Sequence, residues 1–352
     1  MIALSLGALA LALHAPSHVP APDPPGRAVD AERLMATVRW LPASRSAAGD
    51  ERSRANLLAL QTDLAARAVE LGYWPTAHPV RWKRRTEATG LDWRNISFEI
   101  PGRTAPQEVL IVGAHFDAVP GSPGADDNGS GTAGLLEMAR VLRDRPMHRT
   151  VRFVLFNLEE LGHTGSNQYV AQVRGSHLDG SQRIVGMLSL EMLGYYSSEP
   201  GSQRNPFRNV AGAPQRDTGD FLALATIAAH GPFCRALEAA MRTDLPDFAA
   251  VSIDMFPIAP PDLLRSDHAP FLLLGVPAVM VTDTANFRNP HYHKATDTPD
   301  TLDAAGFARA VRALADAVHA LAGPLDAGPP PTWNEPAKKQ EPAEDAPRAP
   351  GS

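Results

Sequence analysis

Cysteine is nearly absent from this sequence, and so are clustered positive charge and long apolar runs. Cys234 is the one cysteine among 352 residues. An intramolecular disulfide is therefore excluded, as is a thiolate metal cluster. The surrounding HGPFCRALEA reads as ordinary helix, which makes Cys234 a packing residue rather than a nucleophile. A formal net charge of -6 with no Lys/Arg cluster leaves no electrostatic footprint for nucleic acid. The glycine-rich GSGTAG lacks the GK[ST] of a phosphate loop and reads instead as the start of a helix. The N-terminal apolar run in MIALSLGALALALHAPSHVPAPDPP is about a dozen residues, too short to span a membrane comfortably. Small residues and prolines follow it, as they follow the h-region of a signal peptide. Residues 1–28 are thus expected to be a leader and Pro-rich linker of an exported chain. The missing positive n-region leaves an uncleaved anchor as the alternative, with no other membrane partner expected.

What is present describes a globular protein. Hydrophobic residues make up 44% of the chain, enough for a sizeable core. DAERLMATVRWL and SRANLLALQTDLAARAVELGY carry apolar residues at helical spacing, the second ending at Gly72. Short apolar runs then alternate with amphipathic segments. Strands are expected in NISFEI, EVLIVGAHFD, TVRFVLFNLEE, IVGMLSLEML, VSIDMFPI and PAVMVTD. Helices are expected in GTAGLLEMARVLRD, near GSNQYVAQVR, in FLALATIAAH and GPFCRALEAAMR, and over TLDAAGFARAVRALADAVHALAG. The alternation implies a three-layer αβα fold with a mixed, largely parallel central sheet. One catalytic domain is expected over residues 29–324, followed by a disordered tail rich in proline and charge over 325–352.

Ligands of open α/β sheets bind beyond the carboxyl ends of the strands, so the residues closing each strand belong together. They are His115 and Asp117 in AHFD, Asp126 and Asp127 in GADDNGSG, Glu159 and Glu160 in FNLEE, Glu191 in SLE, and His291 and His293 in NPHYH. Any one of these alone is more often a cap or turn residue. Five segments bringing carboxylates and imidazoles to one edge are a different matter, because their mutual repulsion needs a cation. Imidazole and carboxylate without thiolate suit zinc, with manganese or cobalt as substitutes. The number of donors favours two ions sharing a bridging carboxylate.

GAHFDAVPGSPGADDNGSG, EELGHTGSNQYV, SLEMLGYY, RSDHAPFLLLGVPA and NPHYHKATDT, in this order, resemble the zinc aminopeptidases of peptidase family M28 over roughly residues 90–322. The resemblance implies that His115, Asp127 and Glu191 hold one zinc and that Asp127, Glu160 and His293 hold the second. It implies further that Asp117 orients His115 from outside the metal shell, and that the Asp127–Asn128 peptide is cis. Glu159 becomes the general base, and Tyr292 a residue facing the oxyanion. Arg265, Asp267 and His268 are placed at the substrate pocket. The family often carries Asp where this chain has Glu191, a departure that bears on metal spacing. Peptides with a free N-terminus are the implied substrates.

The residues leave rivals. Glutaminyl cyclase, carboxypeptidase-like and aminoacylase activities use similar scaffolds, and non-catalytic receptor domains occur on them too. His291 and His163 read as loop residues rather than ligands or catalytic groups. The glycosylation-like triplets beginning at Asn95 and Asn128 read as chance matches.

Overall fold

A computed structural model describes residues 23–82 and 90–333. The apolar run behind the export expectation and the tail from residue 334 onward lie outside the described residues. A single eight-stranded sheet organises the chain. Its order is β1 (Thr76–Val80), β2 (Trp93–Ile100), β4 (Arg149–Phe156), β3 (Ala105–His115), β5 (Arg183–Glu191), β8 (Ala278–Thr282), β6 (Leu222–Ala225) and β7 (Ala250–Ile253). Strands β4, β3, β5 and β8 are mutually parallel. Strands β1 and β2 join one side antiparallel, and β6 pairs antiparallel with β8 on the other.

Alternation along the central strands explains the layers. Leu110, Val112 and Ala114 of β3 face one core, while Val109 and Ile111 face another. Because side chains of a strand alternate between faces, a strand covered on both sides reads as a continuous apolar run. Helices α1 (Ala31–Trp40), α2 (Glu51–Glu70), α3 (Gly131–Leu142), α5 (Gly231–Met241) and α7 (Ala304–Ala322) supply the larger core. Helices α4 (Thr164–Leu178) and α6 (Ala269–Leu274) cover the opposite face through Tyr169, Phe271 and Leu272. Among the described residues, no helix is long and apolar enough to cross a membrane. Cys234 is buried in α5, its thiol pushed up to about 12 by burial, in keeping with packing.

Three expectations need correction. FLALATIAAH was expected to be helical, yet its first part is strand β6, fully buried between β8 and β7. Leucine and alanine favour helix locally, but the sheet position overrides that preference. The domain also extends past both expected boundaries. Pro25–Ala28 forms a helical turn against α7, where the Gly26 N–H donates to Asp316 Oδ1 at 2.6 Å. At the other end, residues 325–333 run back over the sheet instead of leaving it. The Trp333 indole N–H donates to the Val185 carbonyl at 2.7 Å, and its ring sits 4.9 Å from that of Phe233. Arg149 lies over the same ring and donates to the Pro331 carbonyl. Trp333→Ala should therefore lower the unfolding free energy by about 3–5 kcal/mol in a urea titration. A change below about 1 kcal/mol would show that this segment does not belong to the core.

Candidate active site

The carboxyl ends of the parallel strands converge as the strand-end residues require. His115 closes β3, Glu191 closes β5, Glu159 and Glu160 follow β4, and His293 follows β8. His115 Nε2 lies 3.4 Å from both Asp127 Oδ1 and Glu191 Oε2. His293 Nε2 lies 3.0 Å from Asp127 Oδ2 and 3.4 Å from Glu160 Oε2. Asp127 thus turns one carboxylate oxygen toward each imidazole. His115 Nε2 and Glu160 Oε1 are buried without a hydrogen-bond partner. Orphaned donor atoms converging on one point are the signature of a cation site, and a divalent metal ion fits this imidazole and carboxylate set.

Backbone hydrogen bonds hold the acids in place. The loop Ala125–Ser130 carries Asp127, and its Asp127–Asn128 peptide is cis, as the resemblance implied. Asp297 accepts the N–H groups of Asp126 at 2.9 Å and Asp127 at 3.1 Å. Asn128 donates to the Leu190 carbonyl and accepts from the Met192 and Gly131 amides, tying the loop to the end of β5. Beneath it lies Arg45, 2% exposed, whose guanidinium donates to the carbonyls of Phe116, Pro42, Pro123 and Gly124. Neither Arg45 nor Asp297 was singled out from the sequence. Both lie remote from the strand ends in sequence, and no motif marks Arg45.

Asp117 has a second role beside the one expected. His115 Nδ1 is 3.2 Å from the Asp117 backbone carbonyl and 3.6 Å from its carboxylate. The carboxylate also accepts the amides of Glu159 at 3.0 Å and Glu160 at 3.2 Å. It positions the turn that carries the two acids as well as bordering the imidazole. Glu191 is held by the Ser266 hydroxyl at 2.7 Å, itself 2.9 Å from the Ser189 hydroxyl.

The crowding shows in the protonation equilibria. Burial disfavours a charged His115, yet Glu191 and Glu159 outweigh it and raise its pKa well above the usual range. Burial likewise opposes a charged His293, but its contacts with Asp127 and Glu160 raise it to about 10. Burial, reinforced by Asp127, lifts Glu160 to about 7, and burial, opposed by His115, lifts Glu159 well above the usual carboxylate range. Protons thus offset the repulsion, and a bound cation displaces them.

The pocket residues separate into two groups. Arg265 and Tyr292 line a cleft beside Glu191 whose walls include Phe207, Phe221, Ile253, Leu263 and Met280. Arg265 Nη2 donates to the Tyr292 hydroxyl at 2.9 Å, and the Tyr292 ring stacks on His293 at 3.8 Å. Asp267 and His268, also expected at the pocket, are fully buried instead. His268 Nε2 lies 2.7 Å from the Leu263 carbonyl, and the Asp267 oxygens lack hydrogen-bond partners, burial raising its pKa to about 7. They directly precede the short helix α6, which was not expected from the sequence, with His268 at its N-cap position. Asn95 and Asn128 are fully buried, consistent with chance glycosylation matches. His291 bonds Thr296 outside the donor set, at 2.9 Å. His163, taken for a loop residue, lies 3.2 Å from Glu159 Oε1.

A three-layer αβα sheet with clustered metal donors at its carboxyl edge defines a metal-dependent hydrolase. The profile of peptidase family M28 matches residues 95–318, and the chain belongs to that family, making it a metallopeptidase. The Escherichia coli K12 protein YfbL is 34% identical over 223 residues, covering 61% of this chain and 67% of YfbL. Aminopeptidase YwaD of Bacillus subtilis is 45% identical over 87 residues, 25% of this chain but 19% of YwaD. A zinc aminopeptidase structure from Bacillus subtilis superposes with TM-score 0.50 at 26% identity, over 64% of this chain and 49% of that one. The aminopeptidase of an Aneurinibacillus strain gives TM-score 0.63 at 18% identity, covering 88% of this chain and 97% of that one, which shows the shared fold.

Asp117→Ala removes the acceptor for the Glu159 and Glu160 amides and frees the acid pair. Divalent-metal affinity should fall about 10–100-fold in a competition titration with a chelating dye. Unchanged affinity would mean that Glu159 and Glu160 are positioned by the turn alone.

Proposed function

We propose that the chain is an exported aminopeptidase with two zinc ions sharing Asp127, hydrolysing the first peptide bond of peptides with a free α-amino group. The carrying observation is the position of Asp127 between His115 and His293, one carboxylate oxygen toward each. Two donor sets result: His115, Asp127 and Glu191 for one ion, and Asp127, Glu160 and His293 for the other. Manganese or cobalt would suit the same donors. Bound there, the metal supplies Lewis-acid polarisation of water and of the scissile carbonyl.

The remaining work belongs to side chains. Glu159, 8% exposed, has a carboxylate oxygen within 4.8 Å of the donor atoms of His115 and Glu191, and in this reading it stays out of the metal shell, takes the proton of the attacking water and returns it to the leaving amine. The unpaired carboxylate charge at the cluster attracts the substrate ammonium, which favours cleavage next to a free N-terminus. Tyr292, held by Arg265, faces the cleft and can donate to the developing oxyanion. The cleft beside Glu191 has Phe207, Phe221, Ile253, Leu263 and Met280 in its walls together with polar groups such as Arg204 and Arg216, and its apolar part suits an apolar N-terminal side chain. Export rests on the N-terminal apolar run followed by small residues and prolines.

A cyclase reading keeps the same fold, since a Bacteroides thetaiotaomicron glutaminyl cyclase structure superposes with TM-score 0.60 at 14% identity. The double donor set around Asp127 favours the peptidase. A panel of aminoacyl p-nitroanilides, an N-acyl amino acid and an N-terminal glutamine peptide, with chelator and metal add-back, separates the readings. Leucine, methionine and phenylalanine anilides should turn over in a metal-dependent way, and aspartate anilide poorly. Dominant turnover of the acylated or glutaminyl compound would overturn the aminopeptidase reading. Glu159→Gln should keep its metal and lose about 10²–10⁴-fold in kcat. Glu160→Gln should lose metal affinity first, and the reverse pattern would show the two roles to be exchanged.

A further inference from the structure

His163 sits in an unusual stretch of backbone. Leu158, Gly162 and His163 all adopt the left-handed conformation, with φ of 60°, 76° and 56°. A bulky side chain at positive φ is unfavourable, and such residues concentrate where the surroundings enforce them. Here the enforcement is explicit. The His163 amide donates to the Glu159 carbonyl at 2.7 Å. Its own carbonyl accepts both the Asn167 amide and the Asn167 side chain at 2.9 Å, at the start of α4. The backbone is gripped on both sides, and the imidazole folds back over the acid four residues earlier.

The two oxygens of Glu159 then have different neighbours. Oε1 lies 3.2 Å from His163 Nε2, and Oε2 lies 3.9 Å from His115 Nε2, on the side of the donor sets. We propose that His163 is a positioning residue for Glu159: its Nε2–H donates to Oε1 and fixes the carboxylate rotation that presents Oε2 to the attacking water. A carboxylate held by one oxygen keeps a single productive orientation, whereas a free one rotates about its terminal torsion. The proposal rests on the reading of Glu159 as general base.

Two measurements test it, the first independent of turnover. Long-range ¹H–¹⁵N correlation spectra of metal-free protein labelled at histidine should show His163 protonated at Nε2, with its Nε2 resonance moved by Glu159→Ala. An Nδ1-protonated ring, or a resonance indifferent to that substitution, would overturn the contact. In leucine p-nitroanilide assays, His163→Ala should lower kcat about 10–100-fold with KM and metal content within about twofold, and His163→Gln should recover most of the loss. In a Glu159→Gln background, His163→Ala should cost nothing further, because residues acting as a unit are not additive. An equal loss in both backgrounds, or an active His163→Ala, would refute positioning while leaving the aminopeptidase reading intact. A wild-type protein without turnover would refute the aminopeptidase reading, and the spectra would still decide whether His163 holds Glu159.

Discussion

Carboxylates packed into one buried edge repel one another, and the structure around that edge is organised by this repulsion. Asp127 is its centre, lying between two imidazoles and 3% exposed. An isolated charge at such a depth is very unfavourable, so it persists only where cations and hydrogen bonds surround it. His115 and His293 supply part of that compensation and hold the Asp127 carboxyl below the usual carboxylate range in spite of its burial. Two divalent ions, each held in part by this carboxylate, would supply the rest in our reading.

Scaffolding follows from the same constraint. Side-chain charges that repel cannot position themselves, and backbone groups do it for them. Asp297 fixes the Asp127 loop from one side, Asn128 fixes it to β5, and Arg45 binds the carbonyls beneath it. Asp117 performs the corresponding service for Glu159 and Glu160. Each anchor comes from a different part of the chain. The four parallel strands of the central sheet are what bring them within reach, because parallel strands place all their carboxyl ends on one edge.

This division explains what could be read from the sequence. His115, Glu160 and Glu191 were legible because they follow the apolar runs of β3, β4 and β5, which are covered on both faces, whereas Asp127 and His293 lie in loops and stood out by the motifs GADDNGSG and NPHYH. Beyond the donors, legibility faded for stated reasons. Strand β6 is spelled LALA, which has no β-branched residue to distinguish it from helix. Strand β1 contains Pro79 and is tolerated because it lies at the sheet edge. Asp267 and His268 sit in a stretch that matches a pocket loop by motif, yet both are fully buried just ahead of helix α6. Arg45 lies in a loop without pattern, and its importance appears only when the carbonyls it binds are seen together. His163 was passed over because sequence spacing does not show a side chain folding back on its own turn.

The bridging carboxylate is the claim on which the functional reading stands. Calorimetric titration of the metal-free protein with zinc tests it most directly, on wild type and on Asp127→Ala, Glu160→Gln and Glu191→Gln. Two ions should bind per wild-type chain, one weakened by each glutamate substitution and both lost together in Asp127→Ala. A single ion in the wild type, or two ions retained without Asp127, would contradict it.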